Sequence, residues 1–327
     1  MMRRFGLAFN DWFEKWMFLI IPCSLVAGFL SAPVLQRFVD WIPFLFAYVT
    51  LTMAIGCGLG QLREVMKKPG IMGLTFLIAH IVSPFIAYWM GVLLFGTDSP
   101  YVIGLVLFTI IPLGVSTVLW VGMSGGSVPL ILAMVVLDSM LSPLVVPAGI
   151  AFLFDTAVEV EAGPLMLDLT ILIVLPTIVG IALYELTGGK IQAKVKPYTA
   201  PVSKLCFAAV VTLNASAIAP YMHELKGDML TLVPLVIALV GICYALGYLP
   251  ARMLRVDREQ LVTVSFAAGM RNISLGTVLA LGYFSPLAAV PVVLSILIQQ
   301  PLATLHHYVL QKLHNRNTSQ RMSRNVR

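Results

Sequence analysis

Apolar runs long enough to cross a lipid bilayer follow one another along almost the whole chain of 327 residues. The ten runs lie at about 16–35, 41–61, 70–95, 101–123, 127–154, 165–186, 199–220, 229–250, 260–283 and 285–310. About 20 apolar residues span the hydrocarbon core, and lipid offers backbone groups no partner, so such runs are helical. Only 11% of the residues are charged and the mean hydropathy is +0.94, too few polar groups to cover a water-facing surface. The sequence therefore predicts a single all-α transmembrane domain over 1–327, with ten transmembrane helices.

Basic residues alternate between the connections and predict the orientation. If the N-terminus is cytoplasmic, the cytoplasmic segments hold eighteen Lys and Arg residues and the external loops hold only Arg37 and Lys226. Lys and Arg are enriched in cytoplasmic loops, so we expect both termini in the cytoplasm, with 313–327 as a basic tail. The tail is interpreted as a solvated segment, with binding to anionic lipid as the alternative. The net charge of +6 is thus a topology signal, and no nucleic-acid partner is expected.

The second half of the chain repeats features of the first half. Each half contains a polar interruption, a proline that opens the next run and a later Pro-Leu pair. The prolines are Pro129 and Pro143 in one half and Pro286 and Pro301 in the other, 14 and 15 residues apart. Five runs per half is an odd number, so the second half must be inverted relative to the first. We predict two inverted five-helix repeats, 12–155 and 164–312.

The fourth and ninth runs contain residues that favour unwinding, at Pro112-Leu113-Gly114 and at Gly269-Met270. A half-helix that starts at such a break presents free amides and a partial positive charge, which suit a carboxylate. Side chains that can add hydrogen bonds flank the breaks: Ser116, Thr117, Asn272 and Ser274. A single break is explained by a proline kink that local hydroxyls repair. Two breaks at matching repeat positions favour a substrate site instead.

These segments resemble the bile acid:sodium symporter family. The resemblance covers nearly the whole chain and includes Gly269-Met270-x-Asn272, Ala288-Ala289-Val290-Pro291 and Ser142-Pro143-Leu144. It implies a panel domain of spans 1, 2, 6 and 7 and a core domain of spans 3–5 and 8–10, with discontinuous helices 4 and 9 crossing. It also implies secondary active transport of a small organic anion by alternating access, in the inner membrane of a bacterium. The family name is not taken to identify the substrate.

The sequence departs from the family at most side-chain sodium ligands. Ala267 stands where sodium-binding members usually carry Glu, and Arg271 stands where many carry Gln after the Met. The fourth-span Ser-Asn pair is replaced by Thr117-Val118, and the fifth-span hydroxyls by Ile131 and Val135. The chain is therefore expected to be a divergent member that lacks most sodium ligands. No other cofactor and no further metal is expected, and the coupling ion stays open among sodium, a proton and none.

Two charges fall inside the predicted spans, Asp138 in the fifth and Arg271 at the ninth-span break. Charges in lipid are costly and mark function by default. We expect the Arg271 guanidinium to replace a sodium ion, either by facing the substrate carboxylate or by pairing with Asp138; a fixed salt bridge that locks the core is the structural alternative. Arg does not release a proton at working pH, so any proton coupling falls to Asp138 or to His80, a weaker candidate that packing alone also explains.

Further polar residues complete the predicted site. Asn272 keeps the position of a substrate-facing amide in the family, and Gln299-Gln300 stand where the tenth span often carries His-Asn. Asn214 and Ser216 in the seventh run either line the cavity or bridge helices.

Three other functions compete with a coupled transporter. Facilitated diffusion or exchange in the same fold is favoured by the missing sodium ligands. A membrane sensor is disfavoured because no segment has the composition of a soluble output domain. An intramembrane enzyme is disfavoured because no metal-ligand spacing and no Ser/His/Asp or paired-Asp arrangement accompanies Asp138. The sequence does not predict the substrate, the direction of transport or the oligomeric state.

Overall fold

The computed structural model describes residues 2–67, 69–154, 161–220 and 227–325, with the side chains of residues 2–4, 18 and 314–325 excepted. Within these ranges the chain is helical, and it contains no β-strand beyond one isolated bridge. The helices are α1 (Met2–Leu30), α2 (Ala32–Ala54), α3 (Leu59–Met66), α4 (Pro69–Phe95), α5 (Pro100–Ile110), α6 (Thr117–Met123), α7 (Val128–Phe154), α8 (Ala162–Leu186), α9 (Lys190–Ile218), α10 (Met229–Met253), α11 (Arg258–Gly269), α12 (Ile273–Tyr283) and α13 (Pro286–Asn325).

Seven helices of the described part are long and apolar enough to cross a membrane, namely α2, α4, α7, α8, α9, α10 and the Pro286–Leu313 part of α13. Helix α1 adds an eighth if its two parts, which are bent by 78°, count as one span. The fourth and ninth predicted runs are each divided into two short helices, α5 with α6 and α11 with α12, of 7 to 12 residues. None of these four reaches the length of a span, so ten transmembrane helices stay a prediction.

The predicted ends of the first two runs, 16–35 and 41–61, were wrong. Helix α1 ends at Leu30 and α2 begins at Ala32, because Pro33 fits the first turn of a helix and cannot continue the preceding one. Helix α2 then passes through a 3-10 stretch at Gln36–Trp41 and ends at Ala54. An apolar pattern marks the lipid-facing length of a chain, and it does not mark where the backbone turns.

The helices pack in two sets. Helices α1, α2, α8 and α9 form one set, whereas α4 and α5 pack with α10, α11, α12 and α13 in the other. Helix α7 packs on α5, α6 and α11 of the second set and also on α8 of the first. The α1–α9 contact is close at Gly28, where an added Cβ would lie 2.1 Å from the Thr212 carbonyl oxygen. Many large apolar side chains on the outer surface are exposed, such as Phe152 and Leu186 at 81% and 84%. An apolar surface of this kind requires lipid around it.

Candidate functional site

The two unwound segments, 111–116 and 270–272, meet inside the second set of helices. The Gly114 N–H donates to the Met270 carbonyl at 3.1 Å, and the Asn272 N–H donates to the Pro112 carbonyl at 2.9 Å. Leu113 and Arg271 form an isolated antiparallel bridge between these two bonds. The unwinding lies where Gly and Pro predict it, and the exchanged bonds satisfy backbone groups that the breaks leave free. We call this meeting point the crossing.

Gly114 allows the two segments to come this close. A Cβ built on Gly114 would lie 2.7 Å from the Arg271 carbonyl oxygen and 3.0 Å from its carbonyl carbon. Both of these atoms belong to the backbone of the second break, so no side-chain rotation would relieve the overlap. The crossing therefore depends on the missing side chain of Gly114.

A small cavity of about 40 Å³ lies at the crossing. Residues from both breaks and from α13 line it, and they include predicted site residues: Gly114, Ser116, Arg271, Asn272, Ser274, Gln299 and Gln300. Phe207 and Val211 of α9 close the opposite side. Asn272 is only 9% exposed, and no described residue forms a hydrogen bond with its side-chain amide. A buried amide without a protein partner in a cavity wall is available to a ligand.

A second, larger cavity of about 390 Å³ adjoins the first, and Val49, Val115, Ser116 and Phe207 line both. It lies between α1, α2 and α9 on one side and α6 and α7 on the other. The charged residues in its wall are Glu14, Lys196 and Lys204. Lys204 pairs with Glu14 at 3.0 Å, which leaves the wall with a net positive charge. From the sequence alone, both lysines serve only to predict the topology, since the pattern of apolar runs does not place them near the breaks.

Gln299 and Gln300 hold the breaks in place. The Gln299 side chain accepts the Arg271 N–H at 2.7 Å and donates to the Arg271 carbonyl at 3.2 Å. Gln300 accepts the Trp120 indole N–H at 2.9 Å and donates to the Ser116 hydroxyl at 3.4 Å. Both amides were predicted as site residues, and their contacts give them a positioning role.

The Arg271 guanidinium is 2% exposed and lies among backbone carbonyls. Its Nη2 donates to the carbonyls of Ala268 at 3.2 Å and Ala79 at 3.4 Å. Its Nε and Nη1 have no hydrogen-bond partner among the described residues, and no described carboxylate lies within 4.0 Å of the guanidinium. The pairing with Asp138 that the sequence left open is therefore not formed.

Asp138 pairs instead with His80. The His80 Nε2 lies 2.6 Å from Asp138 Oδ1, and both side chains are buried, at 8% and 1% exposure. The His80 Nδ1 faces the Ile110 carbonyl at 3.1 Å, and Asp138 Oδ2 accepts the Leu113 N–H at 2.7 Å. His80 lies in a π-helical stretch of α4, Ile78–Val82, a feature that is frequent at functional sites. The pair thus contacts the last residue of α5 and the middle of the first break.

The remaining predicted residues lie apart from the two cavities. The Thr117 hydroxyl and the Asn214 side-chain amide are buried and have no hydrogen-bond partner in the described part of the chain. Met270 is buried and contributes its backbone carbonyl to the crossing. The Ser216 hydroxyl donates to the Leu213 carbonyl of its own helix at 2.8 Å, a structural contact.

Sequence reasoning missed two histidines in α13. His307 Nδ1 lies 2.7 Å from the Ser124 hydroxyl, and His306 is hydrogen-bonded to the Ser265 hydroxyl. These contacts fasten α13 to the end of α6 and to α11. No cluster of three or more His, Cys, Asp or Glu side chains that could hold a metal ion occurs in the described ranges.

Comparisons with known proteins agree with the resemblance. The model of the Sodium Bile acid symporter family matches residues 42–225. The chain is 34% identical over 296 residues to the uncharacterized protein YbaS of Bacillus subtilis. This alignment covers 90% of this chain and 96% of YbaS. The chain is 26% identical over 254 residues to the uncharacterized sodium-dependent transporter YocS of Bacillus subtilis, and this alignment covers 75% of this chain and 77% of YocS. It is 27% identical over 302 residues to the probable sodium/metabolite cotransporter BASS1 of Arabidopsis thaliana, and this alignment covers 88% of this chain and 73% of BASS1. The chain is therefore an integral membrane transporter that belongs to the sodium bile acid symporter family.

Proposed function

We propose that the protein is a secondary transporter of a small organic anion of the carboxylate type, which it binds at the crossing and carries by alternating access. The observation that carries this proposal is the unpartnered Asn272 amide at the start of α12, in a cavity that opens into a larger positively charged one. The family supports a transporter, and the substrate class and mechanism are inferred from the site.

The crossing favours a negative ligand. Helix α12 starts at Ile273, so the N–H groups of its first turn and the positive end of its dipole lie at the cavity. The Ser116 and Ser274 hydroxyls add donors, and within the described ranges no acidic residue lines the small cavity. Backbone amides at a helix N-terminus together with hydroxyl and amide side chains are a typical carboxylate-binding set.

The larger cavity suits the approach of such a ligand. Its volume of about 390 Å³ is within the range of small-molecule sites. Lys196 and Lys204 raise the local concentration of anions by electrostatic attraction. Because these lysines belong to segments expected in the cytoplasm, we infer that the described conformation is open to the cytoplasm.

We infer that transport does not require sodium. Arg271 places a permanent positive charge among backbone carbonyls at the second break, and carbonyl oxygens are groups that also bind metal cations. Ala267 and Thr117-Val118 lack the side-chain ligands expected of sodium-binding members. Sodium symport stays the alternative, since YocS and BASS1 are named as a sodium-dependent transporter and a probable sodium/metabolite cotransporter.

The packing supports the proposed architecture. The set α1, α2, α8 and α9 corresponds to the expected panel, and the set that contains the crossing corresponds to the expected core. We propose ten spans in two inverted repeats, 12–155 and 164–312, with 313–327 as a basic tail. Both termini lie in the cytoplasm, and the membrane is the bacterial plasma membrane.

Uptake into proteoliposomes tests the proposal. Radiolabelled acetate, lactate, succinate and benzoate are offered under a sodium gradient, a proton gradient, no gradient, and with unlabelled carboxylate inside. We expect saturable uptake of at least one carboxylate that a sodium gradient leaves unchanged and that Arg271→Gln abolishes. Uptake that needs a sodium gradient in both wild type and Arg271→Gln would contradict the role given to Arg271, and an absence of carboxylate uptake would contradict the proposed function.

A further inference from the structure

We infer that the His80–Asp138 pair binds one exchangeable proton and links this proton to the anion at the crossing, so that the transporter is a proton–anion symporter. This inference rests on the proposed function, because the crossing must be the anion site. Its basis is the buried imidazole of His80, whose two ring nitrogens both face oxygen atoms.

The hydrogen bonds of His80 require a shared proton. The Ile110 carbonyl can only accept, so the Nδ1 that faces it at 3.1 Å carries a hydrogen. The Nε2–Oδ1 contact of 2.6 Å then needs one more proton, either on the ring or on the carboxyl. Without it, a nitrogen lone pair would face a carboxylate oxygen at hydrogen-bond distance in a buried site, which is unfavourable. The two residues therefore bind this proton as one unit.

Hydrogen bonds connect the His80–Asp138 pair to the crossing. Asp138 Oδ2 accepts the Leu113 N–H at 2.7 Å, and Leu113 forms the isolated bridge with Arg271. His80 faces the carbonyl of Ile110, the last residue of α5. Loss of the proton would weaken the contact between α4 and α7 that holds Ile110 and Leu113 in place. Gly114 and Asn272, which bond to the opposite break, would shift with it.

The charges around the His80–Asp138 pair show whether a bound proton strengthens or weakens anion binding. Arg271 at the second break is linked to Asp138 through Leu113, which bridges to Arg271 and donates its N–H to Asp138 Oδ2. With the proton bound, the His80–Asp138 pair is neutral overall and Arg271 leaves a charge of +1. Without the proton, Asp138 cancels Arg271 and the net charge is zero. An anion therefore binds more favourably when the proton is present, and by reciprocity the anion favours proton uptake. A proton enters with the anion on one side of the membrane and leaves with it on the other.

Asp138→Asn is the sharpest variant because Asn can keep both contacts. Its Oδ1 can accept the Leu113 N–H, and its Nδ2 can donate to His80 Nε2, which imitates the proton-bound state. We expect the carboxylate affinity of Asp138→Asn to be independent of pH and to equal the highest affinity that the wild type reaches at acidic pH. For wild type, the binding constant should rise about tenfold per unit of falling pH above the midpoint, as one linked proton requires. Asp228→Asn, which changes an aspartate bonded to Tyr101, serves as the matched control and should keep the wild-type slope.

Two measurements on the full-length protein decide the inference. Calorimetric binding of the four carboxylates in buffers of different ionisation enthalpy counts protons, and we expect close to one taken up per anion. Infrared difference spectra of the ligand-free wild type, taken across the pH range in which anion binding depends on pH, should show a carboxyl or imidazole band that Asp138→Asn removes and Asp228→Asn retains. Anion binding with no proton uptake, or no such band, would overturn the inference and leave the proposed function intact. No binding of any carboxylate would overturn the proposed function, while the infrared bands would still report whether the pair titrates.

Discussion

Arg271 and Asn272 are neighbours in the chain, yet the second break gives their side chains different surroundings. The Arg271 guanidinium bonds to carbonyls of α4 and α11, and the Asn272 amide lies in the cavity wall with no hydrogen-bond partner among the described residues. Because residues 270–272 do not form a regular helix, the fixed charge of Arg271 and the ligand-binding amide of Asn272 lie in different places. The effect of each side chain should therefore be separable by substitution.

Asn272→Ala should weaken carboxylate binding about tenfold or more, because a hydrogen bond to a charged group contributes about 1.5–3 kcal/mol. The melting temperature should change little, since the amide has no hydrogen bond to the described protein. Titration calorimetry and thermal melting measure both quantities. Gln36→Ala, an amide on the exposed surface of α2, is the control and should bind like the wild type. Unchanged binding in Asn272→Ala would remove this residue from the site.

Lys196→Gln should weaken binding up to about fivefold at low salt, as expected for an exposed charge. The loss should shrink as added salt shortens the range of electrostatic attraction. Lys194→Gln changes an exposed lysine of α9 that does not line the cavity, and it should have a smaller effect. Equal losses for Lys196→Gln and Lys194→Gln would show that only the total charge of the helix matters.

At the scale of elements, the two broken helices depend on a backbone contact. Gly114→Ala should separate the breaks, because the new Cβ would meet the Arg271 carbonyl at 2.7 Å. We expect a destabilisation of about 1–3 kcal/mol, typical of overpacking, and loss of carboxylate binding. Gly241→Ala in α10, where a Cβ meets nothing within 4 Å, should be neutral or stabilising. Wild-type binding by Gly114→Ala would mean that the close approach is not needed.

The sequence predicted the breaks because Gly and Pro act locally on helix formation. It placed the ends of α1 and α2 wrongly because a polar residue and a turn inside an apolar stretch leave its average hydropathy almost unchanged. It did not predict the His80–Asp138 pair, since a contact between residues 58 positions apart and the π-helical turn at Ile78–Val82 have no signature in one sequence. A deep contact of this kind depends on how helices rotate against one another.

At the scale of the whole molecule, the larger cavity lies between the two sets of helices. Alternating access requires that these sets move relative to each other and open this space to opposite sides in turn. The resemblance implied the two sets, whereas the position of Lys196 and Lys204 in the cavity wall emerges only from the folded chain.

The orientation can be tested by labelling cysteines from one side of the membrane. In a background without the four natural cysteines, Thr199→Cys in the cavity wall should react with a charged thiol reagent added from the cytoplasmic side. Leu230→Cys, which is exposed at the start of α10, should react from the external side. A reversed pattern would contradict the proposed topology.

The position of a bound carboxylate shows whether the crossing is the anion site. A brominated carboxylate that competes with the transported anion can be located by anomalous scattering in a crystal of the complex. We expect its carboxylate oxygens to lie within hydrogen-bond distance of Asn272 and the first N–H groups of α12, with α5 and α6 still separated at the crossing. A carboxylate bound elsewhere, or a fourth segment that continues as one unbroken helix, would contradict it.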